Sequence, residues 1–207
     1  MLIAKAGLSI FETNNLIMKN LLFSFCLALM FCVPARATHL MGGEITVQSI
    51  GNDEYVIARL VYRDTSGIPM QTFAQFEIFD ATGNLVTTTN TPYDSTISGN
   101  LLPQFPYGVE LYLFVDTVTL TIAGDYYVGW SNCCRNVAIQ NLTSPGGESM
   151  YLRTDFRVYS SGANSTPFFM VPAAMFLPIG VQWQYNPLPF DPDGDSLYWS
   201  IDAPLSN

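Results

Sequence analysis

From residue 38 to residue 160 the chain is written in period two. Over 44–50, polar Glu44, Thr46 and Gln48 alternate with Ile45 and Val47, the pattern of a strand with one wet face. The run 54–63, EYVIARLVYR, is apolar on both faces apart from Arg59 and Arg63, and predicts a strand. DTSGIP (64–69) is a turn by composition. Residues 73–80 and 85–89 predict a hairpin around a loop containing Gly83. A long polar connection with prolines follows over 90–107. Further strands are predicted at 108–115, 116–122, 125–131 and 150–159. No 3.6-residue periodicity occurs beyond residue 37. Short strands parted by turn signals predict an all-β fold, a Greek-key β-sandwich over 38–160.

Beyond residue 160 the texture changes. SSGANST (160–166) reads as a small polar linker. Pro167, Pro172, Pro178, Pro187, Pro189, Pro192 and Pro204 then crowd the chain. Strands are predicted at 180–186 and 196–201. Residues 161–207 thus read as an incomplete second β module, too short to bury a core of its own.

Residues 1–37 read differently again. Lys19 supplies a positive start, 21–33 is an unbroken apolar run, and Ala35-Arg36-Ala37 is a small-x-small cleavage site. The run is well short of the roughly 20 residues that cross a bilayer. It is expected to be a cleaved export signal that starts at Met18 and leaves Thr38 as the mature N-terminus. The mature chain is expected to carry no transmembrane segment.

Composition sharpens this picture. The whole chain has a net charge of −9; with 1–37 removed, five arginines face sixteen carboxylates, a net −11. Such a surface repels phosphate backbones, which argues against nucleic acid as a partner, and it attracts cations. Cys133 and Cys134 are the only cysteines of the mature part, so the fold is not a disulfide scaffold.

Candidate chemistry is sparse. Asp191, Asp193 and Asp195, with Gly194 between the last two, form a hard-oxygen cluster suited to Ca²⁺. Such an ion wants six to eight oxygens, so backbone carbonyls, water or Asp202 would have to help. The rival reading is an acidic turn before a strand. For the adjacent cysteines three readings compete: a vicinal disulfide, bonds to another chain, or two ordinary thiols. Trp183 and Trp199 are candidates for a sugar-stacking platform, while Trp130 sits in an apolar strand and reads as core. The nucleophile-elbow, zinc-protease, phosphate-loop and dinucleotide patterns do not occur. His39, the only histidine, lies at the expected mature N-terminus, and nothing marks it as a base for Cys134.

These motifs also stand in a recurrent order: THLMGGE (38–44), LVYRD (60–64), CCRN (133–136), NSTP (164–167) and DPDGDSL (191–197). In this the chain resembles the N-terminal region of large exported Bacteroidota surface proteins of the gliding-motility-associated or PKD-domain type. The resemblance implies a multi-domain protein at the cell surface or outside the cell. It implies Ig-like modules, with a cadherin-like or PKD-like unit beginning near Ala163. It also implies type IX secretion, directed by a C-terminal signal. This chain ends before such a signal, and without one it would stay periplasmic. Relatives carry cysteine directly after the Tyr-Arg-Asp run, where this chain has Thr65. The expected function is a non-enzymatic surface module for adhesion or display, with an unknown surface protein or glycan as partner. The alternative is a carbohydrate-binding or accessory domain of a polysaccharide-processing system. A hydrolase with a carboxylate pair assembled only in the fold is the third reading.

Overall fold

The computed structural model describes Lys19 and residues 39–105, 107–172 and 179–204. The chain separates into two compact units, Met1–Ala35 and Arg36–Asn207, and the described strands all lie in the second. The expected leader, with its start at Met18 and its cut before Thr38, lies outside the described residues apart from Lys19.

Eight antiparallel strands build the fold: β1 (Leu40–Gly51), β2 (Glu54–Asp64), β3 (Phe73–Asp80), β4 (Leu85–Pro92), β5 (Asn100–Leu101), β6 (Val109–Thr119), β7 (Gly124–Cys133) and β8 (Ser149–Val158). One sheet runs β1-β2-β6-β5 and the other β4-β3-β7-β8. Read as A-B-E-D and C′-C-F-G, this is the strand order of an immunoglobulin-like sandwich. Period-two burial drives it. On β2, Tyr55, Ile57, Val61 and Arg63 are buried together with Arg59. On β3, Ala74, Phe76 and Ile78 answer from the opposite sheet.

The turns follow local chemistry. Gly51, Asn52 and Asp53 hold φ of 87°, 53° and 60°, left-handed values that Gly, Asn and Asp tolerate best. In the β3–β4 hairpin, Asp80 Oδ1 accepts the N–H groups of Thr82 and Asn84, both at 2.9 Å. The two strands predicted at 108–115 and 116–122 are one. β2 pairs with β6 along its whole length, from Glu54 opposite Thr119 to Asp64 opposite Val109, so the ladder carries straight through Asp116.

Arg59 is a cation set among the rings of the core. It is 1% exposed. Its guanidinium lies 4.6 Å from the ring centre of Phe114, its neighbour across β6, and 5.4 Å and 4.2 Å from Phe76 and Trp130 of the opposite sheet. Nε and Nη1 have no hydrogen-bond partner among the described residues. Immunoglobulin strands B and F are bridged by a disulfide; here their counterparts β2 and β7 are bridged by a cation on a ring. Trp130 accordingly packs on the core, as its strand predicts.

The segment after β8 does not form the predicted strands at 180–186 and 196–201. It makes a two-residue ribbon, β9 (Phe168–Phe169) with β10 (Pro189–Phe190). Alternation alone cannot hold a strand that finds no neighbour to share its N–H and C=O groups. Tyr198 and Ile201, on the last predicted strand, are each 92% exposed. The linker instead lies along the open edge of β1. Thr166 N–H donates to the Val47 carbonyl at 2.7 Å, and Val47 N–H donates to Thr166 Oγ1 at 2.8 Å. An edge strand that would otherwise present bare donors is covered.

Candidate functional site

Where the edges of β1 and β8 meet, the sandwich opens into a cleft of about 260 Å³. Its walls come from residues 43–45 of β1 and 152–154 of β8, and its rim from Phe168, Phe169, Pro189 and the stretch 197–199. Gly43 makes the close approach of the walls: a Cβ there would stand 2.5 Å from the Leu60 carbonyl oxygen and 2.9 Å from Leu152 Cδ1. Thr154 fixes the seam from the other side, its hydroxyl donating to the Ile45 carbonyl. The lining is aromatic with few polar groups, the usual character of a small-molecule site.

Two charged side chains reach this cleft. Arg153 is already engaged. It pairs with Asp155 through Nε and Nη2, the closest contact being 2.6 Å, and its guanidinium lies 3.9 Å over the Tyr127 ring. Glu44 is half-buried and accepts the Phe169 N–H at 3.2 Å through Oε2. Burial pushes the Glu44 carboxyl up from its ordinary value, and the Phe169 amide pulls it part of the way back. Burial, with the Glu44 charge nearby, raises the Tyr185 phenol.

Of the two tryptophans singled out in the sequence, Trp199 lines the cleft and is 42% exposed. Trp183 does not line it; it stacks on Tyr185 with ring centres 5.8 Å apart. Sequence reasoning missed Phe168, Phe169 and Tyr198 as site residues and took Glu44 only as part of a motif. The adjacent pairs Phe168-Phe169 and Tyr198-Trp199 in a proline-rich tail were the available signal.

The acidic run folds as a tight turn. Asp191 Oδ1 accepts the N–H groups of Asp193 and Asp195 at 2.9 and 3.2 Å, and Gly194 takes a φ of 82° within it. Asp193 Oδ2 accepts the Ser165 N–H at 2.6 Å. The turn therefore staples the linker that covers β1. Asp202 accepts the N–H of its own neighbour Ala203. Among the described residues no three His, Cys, Asp or Glu side chains are gathered to hold a metal ion.

The remaining motifs converge at a second place. Cys133 and Cys134 are bonded to each other across a cis peptide, so neither sulfur offers the thiolate that nucleophilic catalysis needs. The Cys134 carbonyl accepts the His39 and Leu40 N–H groups at 3.3 and 3.2 Å. Asn136 N–H donates to the Leu40 carbonyl at 2.9 Å, and Asp64 N–H to the His39 carbonyl at 2.8 Å. Asn136 Nδ2 closes the ring by donating to Asp64 Oδ2 at 2.7 Å. The runs THLMGGE, LVYRD and CCRN, distant in sequence, are thus one clasp. It ties the start of β1 and the end of β2 to the loop after β7. Thr65, where cysteine was expected from the resemblance, donates its N–H to the Gly108 carbonyl at 3.0 Å.

Comparison with family models, with curated proteins and with solved structures returns no match for this chain. No helix among the described residues is long and apolar enough to cross a membrane.

Proposed function

We propose that this chain is a non-catalytic, exported surface module for adhesion, and that it holds a glycan in the cleft on the β1–β8 seam. The observation that carries the reading is the lining of that cleft, where Phe168, Phe169, Tyr198 and Trp199 stand on the rim and Glu44, Arg153 and Thr154 are among the wall residues. Sugar rings present apolar C–H faces and a fringe of hydroxyls, the complement of such a surface. A single carboxylate, Glu44, appears among the described lining residues. Glycoside hydrolysis takes two, which favours holding a sugar over cutting one. The export signal read over 18–37, and the likeness to exported Bacteroidota surface proteins, support a place at the cell surface or outside the cell.

The full chain is expected to bind defined oligosaccharides on a glycan array, and Trp199→Ala to abolish that binding. Hydrolysis of a polysaccharide, lost on a single Asp or Glu substitution, would instead make the protein an enzyme.

Stabilisation by Ca²⁺ belongs to the same reading. The hydrogen bonds of the acidic turn use one oxygen each of Asp191 and Asp193, leaving the others and Asp195 for an ion that also recruits carbonyls and water. Millimolar Ca²⁺ is expected to raise the melting temperature of the full chain, and Asp193→Asn to abolish the rise. An unchanged melting temperature would retire the ion.

A further inference from the structure

We infer that the sugar taken by this cleft carries a free amine, with its ammonium seated against Glu44 and its ring against the aromatic side chains. The inference rests on the glycan reading and names the ligand class of the same site. Its first ground is charge. The ion pairs among the described residues join Arg63 to Glu110, Arg153 to Asp155 and Arg157 to Asp125, and none uses Glu44. The one arginine in the wall is held by Asp155 and by the Tyr127 ring. A neutral sugar settling here would remove water from the Glu44 carboxylate and give back only hydroxyl contacts. An acidic sugar would bring a like charge. An ammonium answers the carboxylate with a charge-assisted hydrogen bond.

The rings add a second ground. Phe168, Phe169, Tyr198 and Trp199 border the same cleft, and aromatic faces attract cations as well as C–H groups. Size is the third. About 260 Å³ lies below the ~300–1,000 Å³ of sites for drug-sized ligands, so the cleft suits one small ring. A lysine side chain also carries an ammonium, but it would lose the freedom of four rotors on binding and leave the aromatic rim uncovered. The raised Glu44 carboxyl fits this picture, since it marks a charge that burial has stripped of water. A net charge of −9 draws cationic ligands toward the whole molecule.

The test compares two probes that differ only at the amine. The full chain is titrated calorimetrically with a glucosamine oligomer and with the N-acetylglucosamine oligomer of equal length, at about pH 6, where a free amine is charged. The amine form is expected to bind about tenfold tighter or more, the range of a hydrogen bond between charged groups. Glu44→Gln, whose amide oxygen can still accept the Phe169 N–H, is expected to bring that ratio to about one. Added salt should narrow the wild-type ratio. Equal affinity for the two oligomers in the wild-type protein would overturn the amine inference and leave the glycan reading standing. Binding of neither these nor any arrayed sugar would overturn both. So would binding of a lysine-rich peptide in their place.

Discussion

Replacing Arg59 with methionine is expected to leave the melting temperature equal or higher, whereas Arg59→Ala should lower it by about 5–15 °C. The two substitutions remove the same charge and differ in the volume they leave. Burial alone pushes the Arg59 guanidinium down to about 9, far below its ordinary value. At about 1.36 kcal/mol per pH unit, the buried charge costs on the order of 5 kcal/mol. The rings of Phe76, Phe114 and Trp130 return about 0.5–2 kcal/mol each, which offsets most of that cost. Methionine keeps the stem's contacts and sheds the charge. Alanine leaves a cavity between the sheets, for which ~2–5 kcal/mol is usual, and a domain of this size loses ~2–4 °C per kcal/mol. The sign with pH is fixed as well. A cation whose folded pKa is lowered weakens the fold at every pH below about 9, and the burden lifts only as pH climbs from there toward the ordinary guanidinium value. The difference between wild type and Arg59→Met should therefore be flat from about pH 5 to 8. Thermal denaturation of the three proteins decides it. A methionine variant as unstable as the alanine one would mean that the cation itself joins the sheets.

Asp64→Ala and Asn136→Ala are each expected to cost about 1–3 kcal/mol, and the double variant far less than their sum. Asn136 is 5% exposed, and its amide finds Asp64 Oδ2 inside the clasp. Removing the carboxylate strands a buried donor, which incurs its full desolvation penalty. Removing both partners leaves nothing stranded, so a double-mutant cycle should show coupling of ~0.5–3 kcal/mol. Burial pushes the Asp64 carboxyl up, but the hydroxyl and N–H of Ser66, the Asn136 amide and the Arg63 charge outweigh it and hold it below its ordinary value. A lowered carboxyl contributes stability in full above the unfolded pKa, near 3.9, and loses it as pH falls through the folded value. The Asp64→Ala deficit should accordingly be largest near neutrality and shrink as pH falls below the unfolded value. Urea denaturation at the two pH values measures it; a deficit that persists unchanged in acid would remove the carboxylate from the account.

The sandwich was legible because its signal is local. The alternation that buries Tyr55, Ile57 and Val61 is visible in EYVIARLVYR without knowledge of a partner, and the turns announce themselves through DTSGIP (64–69) and the loop around Gly83. The tail was not. Residues 196–201 are rich in strand-forming Tyr198, Trp199 and Ile201, yet strand formation depends on a neighbour that the pattern does not specify. Arg59 was visible as an anomaly in an apolar run, but its answer comes from rings on three other strands. The order of the motifs could be read in the sequence while their meeting could not. The bond between Asn136 and Asp64 spans 72 positions, and only the sheet order brings the two side chains together. The acidic run offered ion ligand and turn with equal chemistry. The bonds from Asp193 and Asp195 back to Asp191, and from Ser165 to Asp193, show the turn at work. The cleft was half-legible: Trp199 lines it, but Glu44 becomes a site residue only when the tail folds back across β1.

The central claim is that this chain works by holding a ligand at the β1–β8 seam. Its three tryptophans, Trp130, Trp183 and Trp199, give three indole N–H signals in a nitrogen–proton correlation spectrum of the full chain. On titration with a glucosamine oligomer, the Trp199 signal should move in a saturable way while that of Trp130, packed on the core, stays in place. A Trp199 signal that does not move at saturating sugar would contradict the account.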